Sequence, residues 1–189
     1  YLRNLDSGAT LRVSRPPDGS PANGWSDQAQ LSADGRFVLF ISTATNLASD
    51  SSRSVHRVFL YDTRDGLLRA ISSPSSDASL AAISADGRYT VLLSAVGRSF
   101  SLSLYDRLDG STRSLDLDIQ DPRWQQLVSQ LAISADGSRL ALLVNSNPSA
   151  AIFLYHRQAD ELVKVASLEP SAAAASARIT LALPADGRS

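Results

Sequence analysis

The chain has 189 residues, of which 43% are apolar and 20% are charged, and its formal net charge is −1. This composition is that of a globular chain, which excludes disorder, and the near-neutral charge provides no field that would gather nucleic acid or anionic lipid. The lack of cysteine excludes disulfide bonds, thiolate metal sites and cysteine nucleophiles, and no apolar run reaches the roughly 18–20 residues that cross a bilayer.

The first segment, YLRNLDSGATLRVS at 1–14, is an early copy of a phrase that returns three times along the chain. The later copies are VFLYDTRDGLLRAIS at 58–72, LSLYDRLDGSTRSL at 102–115 and IFLYHRQADELVKV at 152–165. Each copy holds two apolar stretches on either side of a turn-forming dipeptide. We predict that each copy forms a pair of strands, and that 1–14 supplies the last two strands of a four-stranded unit. Tyr1 is not methionine, so a signal peptide would lie outside this sequence.

A second phrase begins with LSADGRFVLF at 31–40 and alternates with the first. Its Ser-Ala-Asp-Gly core recurs about every 50 residues, with a shortened last copy, and the four glycines are Gly35, Gly87, Gly137 and Gly187. Asp-Gly between apolar stretches is typical of type I′ hairpin turns, in which both central residues have positive φ. The sequence therefore predicts two tight hairpins and four strands in each period.

The second strand of each period is apolar on both faces. In RFVLFIS, Phe37, Leu39 and Ile41 point to one side while Val38 and Phe40 point to the other. Such a strand must be covered on both faces, as in four-stranded sheets that stack around an axis. We found no convincing helical period, and we expect PSAAAASAR at 170–178 to be a loop.

These units divide the chain into a single all-β segment of antiparallel blades of about 50 residues. The expected order is the end of one blade and a loop, three nearly complete blades and the start of another: 1–24, 25–75, 76–125, 126–175 and 176–189. We expect a fragment of a longer ring of six to eight blades. The alternative is a closed ring of four blades in which the end strands complete each other.

The two alternating phrases together resemble the WD-like β-propeller repeat of the TolB type, over essentially the whole chain. This sequence departs from the repeat at Pro184, His156 and Asp160, where serine, aspartate and glycine are expected. The resemblance implies an exported, periplasmic or extracellular, non-catalytic scaffold that binds a protein partner. Two alternatives stay open, which are a propeller accessory domain of a prolyl-oligopeptidase-type serine peptidase and a carbohydrate-binding or lyase propeller.

Four residues are candidates for partner binding because aromatic and arginine side chains are frequent interface anchors. They precede the first strand of a blade, on loops that share one face of the ring: Trp25, Asp27, Arg123 and Trp124. The competing interpretation is that both tryptophans pack between blades.

The remaining polar motifs indicate structure rather than chemistry. Aspartates at equivalent turn positions are expected to bond their own backbone: Asp34, Asp86, Asp136 and Asp186. We read Asp62 and Asp106 as strand-end caps and His56 and His156 as surface or tolerated residues. The acidic loop Asp116–Asp121 and the loop Asn46–Arg57 lack a full set of cation ligands. Without a catalytic or phosphate-binding motif, we expect no cofactor and no metal.

Overall fold

The computed structural model describes residues 1–50, 54–97, 99–117, 124–146 and 149–168, and these form antiparallel strands, connecting turns and one short helix. The helix α1, Trp124–Leu127, is a single turn, and the described residues are otherwise strands and connections, as the all-β prediction requires. Within the described residues, no helix is long and apolar enough to span a membrane. The predicted loop at 170–178 and the last copy of the Ser-Ala-Asp-Gly phrase, with Pro184 and Asp186, lie outside the described residues.

Three four-stranded sheets follow a two-stranded piece at the start of the chain. The two-stranded piece pairs β1, Leu2–Arg3, with β2, Thr10–Leu11. Blade 1 contains β3 Ser26–Leu31, β4 Phe37–Ser42, β5 Arg57–Asp62 and β6 Leu67–Ala70. Blade 2 contains β7 Asp77–Ile83, β8 Tyr89–Val96, β9 Ser99–Asp106 and β10 Thr112–Leu115. Blade 3 contains β11 Val128–Ile133, β12 Arg139–Ser146, β13 Ser149–His156 and β14 Glu161–Leu168.

Each blade is a meander in which neighbours in sequence are neighbours in the sheet. All six positions of β4 are buried, so both of its faces are covered, as its two-sided apolar pattern predicts. Three apolar clusters lie between successive units. One joins the N-terminal piece to blade 1 through Val13 and Phe59, one joins blades 1 and 2, and one joins blades 2 and 3.

The turns between the first and second strands differ from the predicted type I′ geometry. In this turn of blade 1 only Gly35 has a positive φ, 71°, and its N–H donates to the Ser32 carbonyl at 2.9 Å. The Ser32 N–H donates across the loop to the Phe37 carbonyl at 2.9 Å, so the loop spans residues 32–36. The two-residue prediction is wrong because the Asp34 carboxylate holds its own turn together and leaves only the glycine in the left-handed region.

At the turns between the third and fourth strands, a glycine position with positive φ is filled by a non-glycine residue in blade 3. Gly66 and Gly110 have φ of 68° and 72°, and Asp160 in the equivalent place has φ of 51°. Aspartate is one of the few L-residues that visit this region readily. The sequence equivalence of Asp160 with these glycines is therefore confirmed, despite the departure from the repeat.

Successive blades meet through a glycine that lies against an aromatic ring of the preceding blade. A Cβ atom added to Gly87 would lie 2.2 Å from Phe37 Cδ2, and one added to Gly137 would lie 2.1 Å from Tyr89 Cδ2. An arginine of the next blade covers each ring: Arg107 lies 4.1 Å from the Phe37 centroid and Arg157 lies 4.3 Å from the Tyr89 centroid. This repeated contact fixes the spacing of blades 1, 2 and 3.

Candidate functional site

The connections between strands divide into two groups at opposite ends of the blades. Because the strands are antiparallel neighbours, the first-to-second and third-to-fourth turns of every blade lie at one end. The second-to-third loops and the segments that enter from the preceding blade lie at the other. We call these the turn end and the long-loop end.

The repeated aspartates of the turn end hold their own turns. Asp34 Oδ1 accepts hydrogen bonds from the Ser32 hydroxyl at 2.6 Å and from the Arg36 N–H at 3.0 Å. Asp86 and Asp136 accept the same two bonds in blades 2 and 3. The interpretation of these three carboxylates as structural is confirmed.

Hydrogen bonding lowers the pKa of the Asp136 carboxyl to about 2, chiefly through the Ser138 backbone N–H and then through the Ser138 and Ser134 hydroxyls. A folded-state pKa below the ordinary value of 3.8 stabilises the fold above that value, and the stabilisation is lost as the pH falls toward about 2. Ionised Asp136 is therefore a stabilising group only at moderate and high pH.

We expect Asp136→Ala to lower the melting temperature most above about pH 4, and progressively less as the pH falls toward about 2. Thermal melting of both proteins across this range measures the effect. Asp6→Ala is the matched control, because no described residue donates a hydrogen bond to the exposed Asp6 carboxylate. A melting difference that stays constant down to pH 2 would contradict the role given to Asp136.

Two arginines at the turn end form ion pairs that the sequence analysis missed. Arg36 donates to Asp62 from Nε at 3.1 Å and from Nη2 at 2.8 Å, and Arg88 makes the same contacts with Asp106. The hydrogen bond from Arg36 is the main cause that lowers the pKa of Asp62. Asp62 also accepts from the Arg64 N–H at 3.0 Å, so the predicted capping role is confirmed but incomplete.

The signal for these pairs was present in the third copy of the repeat. Ser138 stands where blades 1 and 2 have arginine, and His156 stands where they have aspartate. The two partners are thus replaced together in blade 3. The departure at His156 is part of a lost ion pair rather than an isolated substitution.

Trp25 places a large aromatic ring in solvent at the long-loop end. Its side chain is 85% exposed, while its backbone is held to β4. The Trp25 N–H donates to Thr43 Oγ1 at 3.0 Å, and its carbonyl accepts from the Thr43 N–H at 2.9 Å and from Ser42 Oγ at 2.8 Å. Asp27 lies two residues further along the chain, in β3, and is also exposed. An exposed ring on a fixed backbone is a candidate contact surface.

Trp124 is not a surface aromatic. Its residue is 5% exposed and belongs to the apolar cluster between blades 2 and 3, where helix α1 contacts β9 and β12. The expectation of an exposed ring is wrong here because α1 turns the side chain inward, as the competing packing interpretation proposed. Arg123 lies outside the described residues, so the structure keeps only Trp25 and Asp27 together at one surface.

A histidine and an aspartate join blades 1 and 2 at the long-loop end. His56 Nδ1 lies 2.9 Å from Asp77 Oδ1, and the His56 N–H donates to the same oxygen at 2.8 Å. The Ala78 N–H donates to the His56 carbonyl at 2.7 Å. These contacts tie the start of β5 to the start of β7. His156 lies at the end of β13, at the turn end, so the two histidines belong to different ends of the blades.

A groove of about 750 Å³ lies between blades 1 and 2 and extends from Asp50 and Ser73 at the long-loop end to Gly110 at the turn end. We call it the interblade groove, and its lining includes Arg57, Arg69, Ser94, Ser101, Ser103 and Tyr105. The Arg57 side chain is 3% exposed and forms an ion pair with Asp50 at 2.6 Å. Its Nη2 also donates to the Ser72 carbonyl at 3.0 Å.

The side-chain amide of Asn46, at the start of the loop 46–57, makes its hydrogen bonds inside the protein. The Asn46 side chain donates to the Pro21 carbonyl at 2.8 Å and accepts from the Asn23 N–H at 3.0 Å. Within the described part of the chain, no group of three histidine, aspartate or glutamate side chains is arranged to hold a metal ion. Of the three carboxylates in the acidic loop 116–121, only Asp116 is described, and it is exposed.

No family model matches the sequence, and no curated protein matches it. Several solved structures are similar to the structure of this chain. The β-propeller domain of the Trilobed protease from Pyrococcus furiosus is 13% identical, with a TM-score of 0.55 over 81% of this chain and 45% of that one. TolB from Acinetobacter baumannii is 17% identical, with a TM-score of 0.55 over 89% and 37%. An oligogalacturonate lyase in complex with manganese is 15% identical, with a TM-score of 0.59 over 87% and 40%.

The chain covers less than half the length of each of these structures. At identities this low the likeness concerns the fold and not the activity. Three four-stranded antiparallel blades, preceded by a partial sheet and stacked through their buried faces, agree with that likeness. The chain therefore has the β-propeller fold that its repeat predicts, and its described residues form three blades and part of another.

Proposed function

We propose that this chain is a non-catalytic propeller scaffold that binds a protein partner at its long-loop end. The observation that carries the proposal is the Trp25 ring, which is 85% exposed although three hydrogen bonds fix its backbone. A rigidly mounted aromatic ring loses little conformational entropy on binding and can bury a large area. Asp27 beside it supplies a charge that would set the orientation of the partner.

We expect Trp25→Ala to weaken partner capture at least tenfold, because an exposed aromatic side chain is a typical interface anchor. The melting temperature should stay unchanged, because the ring lies in solvent and contributes little to the packing of the fold. The measurement is affinity capture from extracts of the source cells by the immobilised chain, followed by titration with the recovered partner. Leu108→Ala is the matched control, since Leu108 is 64% exposed at the turn end. Equal binding by both variants, or no partner in any capture, would count against the proposal.

A second candidate function is that of a propeller domain attached to a serine peptidase. The likeness to the Trilobed protease propeller supports it. The complete reading frame is the test. A Gly-x-Ser-x-Gly motif between a strand and a helix, in an additional α/β-hydrolase domain, would favour the peptidase over the scaffold.

A carbohydrate-binding or lyase propeller has the oligogalacturonate lyase likeness in its favour. Against it, His56 and His156 lie at opposite ends of the blades and cannot act in one site.

For the scaffold we further propose an exported, periplasmic or extracellular location. Fractionation of cells that express the complete protein would test this, and recovery with the cytoplasmic fraction would contradict it.

A further inference from the structure

The interblade groove exists because blade 2 lacks an aromatic side chain that both of its neighbours have. In the strand register Phe59 pairs with Phe40, Phe153 pairs with Leu142, and the equivalent Ser103 pairs with Leu92. Phe59 is fully buried, and Phe153 packs against the cluster between blades 2 and 3. The serine in blade 2 therefore leaves open a space that the other blades fill.

The polar character continues along the same face of blade 2. Ser94 and Ser101 form a cross-strand pair, and the equivalent pair in blade 3 is Val144 and Ala151. Deeper on this face Thr90 takes the place of Val38 in blade 1, and its buried hydroxyl has no hydrogen-bond partner among the described residues. Blade 2 has thus exchanged apolar bulk for hydroxyl groups toward blade 1.

Three hydroxyl groups on the blade 2 wall of the groove are not used to hold the fold. None of the Ser94, Ser101 and Ser103 hydroxyls makes a hydrogen bond to another residue that the structure describes. By contrast Ser42, the blade 1 equivalent of Ser94, donates to the Trp25 carbonyl and accepts from the Ala44 N–H. Three hydroxyls that can both donate and accept therefore face the groove.

The groove carries one positive charge that its own walls do not neutralise. Arg57 is balanced by Asp50 at 2.6 Å. Arg69 lies on the exposed strand β6, and no ion pair or hydrogen bond joins its guanidinium to another described residue. Ile71, Leu92 and Val96 add an apolar wall. This combination suits an occupant with one acidic group, polar main-chain groups and small apolar side chains.

We infer that the interblade groove receives an extended peptide segment of the partner protein that carries one carboxylate. The carboxylate pairs with Arg69, peptide N–H and C=O groups bond to the serine hydroxyls, and a small apolar side chain packs on Leu92. One end of the groove is lined by Asp50, Ser73 and Ser76, which lie at the long-loop end, the same end of the blades as Trp25. This inference rests on the proposed scaffold function and names the chemistry of the bound segment.

The test uses two pools of acetylated, amidated pentapeptides, one with a central Glu and one with a central Gln. Binding to the full chain is followed by NMR shift changes of the groove residues. We expect the Glu pool to bind at least fivefold more tightly than the Gln pool. Arg69→Gln removes this difference, and Ser103→Phe lowers binding of both pools at least tenfold by filling the groove.

The Ser103→Phe variant is expected to melt no lower than the parent chain, because phenylalanine occupies this register position in blades 1 and 3. Should it fail to fold, Arg69→Gln on exposed β6 remains a sufficient test. Equal binding of both pools, no shift of groove residues by either pool, or shifts caused instead by glucuronate would each overturn the inference. If Trp25→Ala abolishes partner capture while Ser103→Phe leaves it intact, the scaffold function stands and the groove inference fails.

Discussion

Gly87→Ala is expected to reduce the free energy of unfolding by about 2–5 kcal/mol, whereas Gly35→Ala is expected to cost only about 1–2 kcal/mol. Both glycines have nearly the same φ, 67° and 71°, so each substitution carries the same left-handed backbone penalty. They differ in their surroundings. A Cβ on Gly35 meets nothing within 4 Å, while one on Gly87 lies 2.2 Å from the Phe37 ring. The difference between the two variants therefore measures the contact between blades.

The ring has little freedom to move away. Phe37 is 2% exposed, and the guanidinium groups of Arg36 and Arg107 lie 4.8 Å and 4.1 Å from its centroid. Arg107 is itself fixed, since its Nε donates to the Gly87 carbonyl at 2.9 Å. An added methyl group must displace this whole arrangement, which is why overpacking rather than backbone strain dominates the expected loss.

Denaturant unfolding of the single variants and of a double-mutant cycle with Phe37→Ala is the measurement. In the Phe37→Ala background, Gly87→Ala should cost about as much as Gly35→Ala does in the parent chain, because the clash is gone. Gly137→Ala should behave like Gly87→Ala, with Tyr89 as the opposing ring. Equal losses at Gly35 and Gly87 in the parent chain would show that the blades do not meet in this way.

The repeat made the fold predictable because its information is local. Apolar residues on both sides of β4 and its equivalents require cover on both faces. Glycine at positions 35 and 87 indicates turns with positive φ, because glycine adopts that conformation without a steric penalty. The error at the Asp34-Gly35 turn has a local cause as well. The Asp-Gly dipeptide predicts a type I′ turn only because both residues tolerate positive φ. In the structure the Asp34 carboxylate accepts hydrogen bonds from the Ser32 hydroxyl and the Arg36 N–H, and these bonds stabilise a longer loop.

The contacts that the sequence did not reveal join residues distant along the chain. Arg36 and Asp62 are 26 positions apart and meet only once two strands are paired. The groove depends on Ser103 replacing an aromatic residue, and this becomes meaningful only when blades 1 and 2 are known to stack. The separation of Trp25 from Trp124 depends on the single turn α1, which is too short to produce a helical period.

Trp124→Ala is expected to lower the free energy of unfolding by about 3–5 kcal/mol, because it leaves a large cavity between blades 2 and 3. Trp25→Ala should change it by less than about 0.5 kcal/mol, since that ring lies in solvent. Denaturant unfolding of the two variants measures both values. Trp124→Phe is the control for Trp124→Ala, and it should recover most of the loss because an aromatic ring still fills the space.

Fluorescence separates the burial of Trp124 from the stability effect, because the chain has 2 tryptophans. Trp25→Phe leaves Trp124 as the emitter, and we expect blue-shifted emission with weak quenching by acrylamide. Trp124→Phe leaves Trp25, and we expect solvent-like emission with strong quenching. Solvent-like emission from Trp124 in the native chain would mean that α1 does not pack between the blades. Trp124 would then rejoin Trp25 among the candidates for the partner surface, and the single-site proposal centred on Trp25 would have to be replaced.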